Sequence, residues 1–221
     1  MVEIELPTEA GEVTGPLARL GGRLCVDFVN TVDPRDPPGH DYLPDYPALI
    51  DWAESAEVAG REAVGRDVIN RARAAASAAI EQAAQAHREA ISLRESLYRV
   101  LRASAERRPP DGADAGRLRA AAADLQRHRL LQVAGPRWQW AWSADDPLRL
   151  PLWIILADAV DLLTGADQAR LRTCPGEGCG WLFVDGSKNR SRRWCSMRGC
   201  GNRSKTQRHY QRRRATRAQP N

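Results

Sequence analysis

Four cysteines in two matched pairs set the tightest limit on how this chain can fold. Four residues separate Cys174 from Cys179, four separate Cys195 from Cys200, and fifteen lie between the pairs. A unit of about fifty residues is too small for a self-sufficient apolar core. Two short loops, each offering two thiolates, supply a tetrahedral zinc site, and four thiolate ligands leave no position for a reactive water. One structural zinc held by Cys174, Cys179, Cys195 and Cys200 is therefore the expectation. Reduced thiols, disulfides and an iron–sulfur cluster are the alternatives.

Between the pairs, GWLFVDGSKN reads as a strand followed by a turn. The second pair leads into MRGCGNRSKTQRHYQRRR, helical in composition. A loop, a hairpin and a helix starting at the last ligands outline a treble-clef or zinc-ribbon-like finger ending in a basic helix. From Gly186 to Asn221 there are twelve Lys/Arg and no Asp or Glu. The other 185 residues carry 21 basic and 28 acidic side chains, a net of −7. An acidic body with a strongly basic tail points to a polyanionic partner, DNA first and RNA second.

The N-terminal stretch MVEIELPTEAGEV lacks a basic segment followed by an apolar one, and no run of eighteen apolar residues exists. A cytoplasmic protein with no membrane partner is expected, where clustered thiols bind metal more often than they form disulfides.

The body, residues 1–170, reads as mainly α with a small antiparallel β-sheet, an α+β class. Residues 1–14 should fray, and Pro16–Leu20 suits a short strand. In RLCVDFVNTVDPRD, period alone does not choose between strand and buried helix; a helix ending before Pro34 is expected, then a loop through PRDPPGHDYLPDYP. Helix should dominate from Ala48 to about Glu106, punctuated by Gly60 and Gly65, with Ile80, His87, Ile91, Arg94, Leu97, Tyr98 and Leu101 as its buried stripe. Asp114–His128 is a further helix. Leu130–Ala134 and Arg137–Trp142 form a hairpin candidate with Trp138, Trp140 and Trp142 on one face, and Pro16–Leu20 could extend it. Asp145 or Asp146 should cap a core helix with Pro147 in its first turn, running to Gly165, with Pro151 able to move its start a turn later. The tail, 171–221, should dock on this body.

On a helix from about Met197 to Arg214, Lys205, Arg208 and Arg212 form one stripe and Arg203, Gln207 and Tyr210 another. Arg213 and Arg214 extend the basic run. Arg190, Arg192 and Arg193 would add phosphate contacts, which position a protein without specifying sequence. Trp181, Phe183 and Trp194 are expected to be the finger's small core. Asp27, Asn30, Thr31 and Trp52 are candidates to line a small-molecule pocket; a satisfied buried polar network is the alternative. Cys25 reads as a core thiol. No catalytic triad, phosphate loop or dinucleotide fingerprint is present, so the chain reads as a non-enzyme. A body acting as an enzyme is the third reading, after a DNA-binding regulator and an RNA- or ribosome-associated zinc protein.

The tail resembles the CGNR zinc finger, with Cys200-Gly201-Asn202-Arg203 as its tetrapeptide and C-x4-C, LF-x-D and SRRWC elements before it. LCVDFVNT resembles the start of the ABATE domain that accompanies this finger in bacterial proteins. The resemblance implies a stress-induced transcription regulator with a mainly helical N-terminal domain of unassigned activity and a finger that binds DNA. In the DNA-binding reading the helical body would sense a small-molecule effector or mediate oligomerisation, and a homodimer would offset the weak binding of a single finger.

Overall fold

The computed structural model describes residues 19–56, 65–207 and 210. The expected fraying of 1–14, most of the Pro16–Leu20 strand, Gly60, Arg208, His209 and Arg212–Arg214 lie outside them. The described part is helical with three separate two-stranded antiparallel ribbons.

The first helix, α1 (Leu24–Val29), buries Leu24, Cys25, Val26, Phe28 and Val29. Its polar residue Asp27 points back to accept from the Gly21 N–H at 2.7 Å. Cys25 is fully buried; burial, joined by the nearby Asp158 carboxylate, pushes its thiol well above the usual range. Next comes a ribbon, β1 (Val32–Arg35) and β2 (Pro38–Asp41), where the composition had read as loop. Helix α2 (Tyr46–Ser55) follows, capped by Asp45 accepting from the Ala48 N–H at 2.8 Å.

Helices α3 (Gly65–Ala78) and α4 (Ile80–Ala105) are separated by the extended residue Ala79. Along α4, Ala83, Ala86, Ala90, Arg94, Leu97 and Leu101 are buried at helical spacing. Ile80 is a correction: it is 75% exposed. It stands one residue past the break, at the mouth of a groove of about 590 Å³ between α2, α3 and α4, where nothing packs over it.

Helix α5 (Gly112–His128) runs directly into β3 (Arg129–Ala134), which pairs with β4 (Arg137–Trp142) around Gly135-Pro136. This ribbon has two strands; the proposed addition of Pro16–Leu20 fails for Arg19 and Leu20, which are not in a strand. The expected Asp cap, with Pro147 in the first turn, is a correction: Asp146 accepts from the Arg149 N–H at 3.2 Å in a turn before the helix. Helix α6 (Leu150–Thr164) starts at Leu150 with Arg149 at its N-cap, no side chain capping it and Pro151 in its first turn, and ends at Gly165. It is apolar on most sides and is buried along most of its length, as a core helix must be.

A turn at Ala166–Arg170 leads into β5 (Leu171–Thr173), which pairs with β6 (Leu182–Val184). Leu171, Leu182 and Val184 join the same core as α1, α4 and α6. The tail therefore docks on the body as expected.

A half-buried ion network fastens the β1–β2 ribbon to α4: its guanidinium groups are buried and its carboxylates reach the surface. Arg94, 2% exposed, donates to both Asp41 oxygens at 2.8 and 2.7 Å, to Thr31 Oγ1 and to Glu95. Arg35 donates to Glu95 and to the Val29 carbonyl while lying over the Tyr98 ring. Burial lowers the Arg35 guanidinium below its usual range despite Glu95. Burial alone would raise Asp41, but the Arg94 hydrogen bonds bring it below the usual carboxylate range.

Candidate metal centre and basic helix

The four finger cysteines are brought together by three pieces of chain. Cys174 follows β5, Cys179 ends the loop before β6, and Cys195 and Cys200 flank the start of the finger helix. A left-handed backbone at Gly180 (φ +65) threads the first loop past β1; a side chain there would strike Arg35 Cβ at 2.9 Å. Ser196 opens a wide turn, Met197–Gly201, whose Gly201 N–H reaches the Ser196 carbonyl at 2.9 Å. The chain continues as helix through 202–207. Gly201 admits close packing against Met197 and Trp194, whose atoms lie 3.0 and 3.3 Å from where its Cβ would be.

All four sulfurs are buried and lie within 4.8 Å of one another. Cys195 Sγ is 3.6 Å from both Cys179 Sγ and Cys200 Sγ. That is far beyond the roughly 2.05 Å of a disulfide. It suits a tetrahedron of zinc–sulfur bonds near 2.3 Å, whose edges are about 3.8 Å. The cage has donors aimed at its sulfurs: the Cys195 N–H to Cys174 Sγ at 3.4 Å and Arg203 Nη2 to Cys200 Sγ at 3.3 Å. Four thiols so close cannot ionise independently. Hydrogen bonds from the other cysteines, with Arg203 adding to them, hold Cys200 far below the usual thiol range, while Cys179 and Cys195 are pushed far above it. A dication removes this conflict by taking all four as thiolates. The donor set therefore fits one structural zinc, held by Cys174, Cys179, Cys195 and Cys200. Zinc supplies cross-linking here and no open coordination position.

Trp181 and Phe183 are buried and Trp194 packs on them, as expected of the finger's core. The finger's partners on the body are specific. Asn30 Nδ2 donates to the Leu182 carbonyl at 2.8 Å and its Oδ1 accepts from the Leu182 N–H at 3.0 Å. Trp181 Nε1 donates to the Val32 carbonyl, the Arg35 N–H to the Cys179 carbonyl, and the Tyr98 hydroxyl to the Gly180 carbonyl, at 2.8–3.0 Å.

These contacts correct the expected pocket. Asn30 is a backbone clamp. Thr31 donates to the Phe28 carbonyl and receives Arg94. Asp27 holds Gly21, and Trp52 packs against Phe28 with ring centroids 5.5 Å apart. Asn30, Thr31 and Trp52 are buried and Asp27 half-buried, each engaged within the body, which favours the satisfied polar network. The signal in the sequence was real, polar groups inside an apolar run, but it marked an internal joint.

Residues 22–166, about two thirds of the chain, match the ABATE family, described as "Putative stress-induced transcription regulator". The chain belongs to the ABATE family. Residues 170–213 match the CGNR zinc finger, so this ABATE protein carries the finger directly after its helical domain, in the expected order. No curated protein matches the chain. Among the described residues, no helix of this ABATE protein is long and apolar enough to cross a membrane.

The arginines expected to meet phosphate divide into two groups. Arg192 is structural. Its guanidinium donates to the carbonyls of Trp194, Leu20 and Cys195 at 2.7–3.1 Å, reaches toward that of Val184, and lies over Phe183 at 4.5 Å. Arg190 and Arg193 are exposed. On the helix, Arg203 and Gln207 border one cleft of about 680 Å³ with Tyr210, as their spacing predicted; Arg198, Asn202 and Thr206 join them. Arg203 is tethered to Cys200, and Gln207 Nε2 donates to Glu177 at 2.6 Å. Lys205 is exposed. Replacing Arg192 with Lys loses the planar fork and should destabilise the finger by about 2 kcal/mol in chemical denaturation.

Proposed function

We propose that this protein is a cytoplasmic DNA-binding transcription regulator that uses its zinc finger to place a basic helix on duplex DNA. The carrying observation is the surface starting at the last cysteine pair: Arg198, Asn202, Arg203, Lys205 and Thr206 are exposed together on a helix whose first turn is fixed by Cys200. From Gly186 onward the sequence holds no acidic side chain; the acidic groups brought to this face are Glu177, against Gln207, and Asp33, near Arg203. Arg190 and Arg193 extend the surface toward phosphates, and Arg208, Arg212, Arg213 and Arg214 continue the run in sequence. Asn202, Arg203 and Gln207 are the base-facing candidates, since amides read adenine and guanidinium reads guanine.

The body carries the regulatory part of this reading and no catalytic step. The effector belongs to the α2–α3–α4 groove, whose volume suits a small molecule, and not to Asp27, Asn30, Thr31 and Trp52.

The test is binding of the zinc-loaded protein to duplex DNA across salt concentration. With about six phosphates neutralised, the slope of log K against log salt should be about −5. Charge reversal at Arg198 or Lys205 should weaken binding roughly tenfold each and leave the melting temperature unchanged. A slope near zero, or tighter binding to structured RNA in competition, overturns the reading.

A further inference from the structure

The ribbon of β3 and β4 exposes the kind of surface the rest of the protein hides. Its register pairs Leu131 with Trp140 and Val133 with Trp138, so these four share one face. They are 56, 45, 61 and 69% exposed in that order, whereas Trp142, on the same face at the base, is buried. The ribbon grows out of α5 without a break and is secured at its base by Trp142 and by the Ser143 N–H on the His128 carbonyl at 2.7 Å. A two-stranded ribbon is only marginally stable in water unless something covers its apolar face.

We propose that a second copy of this chain covers it, the two ribbons packing face to face about a two-fold axis. The first support is area. On ordinary side-chain areas the four residues leave roughly 500 Å² exposed per copy, the upper range for a monomer's largest apolar patch. Two copies together would bury about 1,000 Å² from these residues alone, the lower bound for a biological interface. The second is chemistry. Arg129 is the face's only charged residue besides the ribbon tip, and it lies at the base over the Trp140 ring at 4.5 Å. A charge-free centre built on Trp is the composition of an interface core. The third is shape: bulky Trp rings on β4 stand beside shorter Leu131 and Val133 on β3, a relief that an isologous contact can interdigitate. Edge-to-edge pairing would leave both Trp rings in water, so the face is the contact.

The proposal stands apart from the DNA reading because its test contains no DNA. Sedimentation of the full-length, zinc-loaded protein up to about 100 µM should give a dimer. Trp138→Lys should weaken association at least about 100-fold, since the two-fold axis removes the anchor twice. Leu130, on the opposite face, supplies the control: Leu130→Lys should leave the dimer intact. Both sites are exposed in the single chain, so at concentrations low enough for wild type and both variants to be monomers all three should melt at the same temperature, whereas at dimer-forming concentrations only Trp138→Lys should melt lower. A wild-type monomer throughout the range overturns the proposal. So does a dimer that survives Trp138→Lys, or equal loss in both variants. A monomer that cosediments with anionic phospholipid vesicles would assign the face to a lipid surface instead.

Discussion

Stripping zinc from the full-length protein, or replacing Cys195 with Ala, is expected to unfold the finger and abolish the DNA binding we propose for it. Structural zinc in small domains contributes about 10–16 kcal/mol apparent, more than any single packing change. The finger cannot compensate for its loss, because its own core is little more than Trp181, Phe183, Trp194 and Leu20 around four sulfurs. Without the cation those sulfurs must keep most of their protons in a space built for thiolates. The effect should also reach the body. Leu171, Leu182 and Val184 belong to the main core, so losing the finger uncovers part of α1 and α4. The metal-free chain should stay helical by circular dichroism and melt at a lower temperature, with Trp fluorescence reporting exposure of Trp181. Stoichiometric zinc should restore both signals. A metal-free protein with an unchanged melting curve would sink the claim.

The second large effect is expected at Asn30. Its amide satisfies both backbone groups of Leu182, and both residues are buried. Asn30→Ala leaves a donor and an acceptor without partners where water cannot reach. At about 1–3 kcal/mol for each orphaned group, the cost should be about 3–5 kcal/mol in chemical denaturation. Asn30→Asp adds a test of sign. A protonated acid can donate to the Leu182 carbonyl, whereas an ionised one is buried against it. The folded state then favours the neutral form, so the carboxyl pKa rises on folding. The stability tied to the proton is present below the ordinary carboxylate pKa and lost as pH rises through the folded one. Asn30→Asp should therefore lie closer to wild type at about pH 4 than at pH 7. The same loss at both values would mean that Asn30 only fills space.

Features set by local pattern were legible in the sequence. The cysteine spacing, the alternating Trp of β4, the Gly165 stop and the α4 stripe each rest on neighbours within a few residues. Arg94 was placed in that stripe by its period alone; its partners Asp41 and Thr31 lie 53 and 63 residues away along the chain and were not legible. What escaped depends on distant contacts. The β1–β2 ribbon has the Pro, Asp and Gly of a loop. It is fixed from outside, by Trp181 and Cys179 on its backbone and by Arg94 on Asp41. Ile80 fits the helical period, but whether anything packs over it is decided by α2 and α3. Arg192 looked like its neighbours Arg190 and Arg193; only the folded chain shows four carbonyls converging on it.

The Asn30 clamp and the Trp181–Val32 and Tyr98–Gly180 bonds mean that this finger is not a portable part. A zinc module that folds alone can be cut out and grafted onto another protein. Here the first cysteine loop and β6 complete their hydrogen bonding only on α1, β1 and α4. A fragment beginning at residue 171 would present those groups and its apolar strands to water. Exchanging fingers between relatives should succeed only when the receiving helical domain carries a matching amide, carbonyl and phenol. The two parts are bound to change together, as halves of one seam.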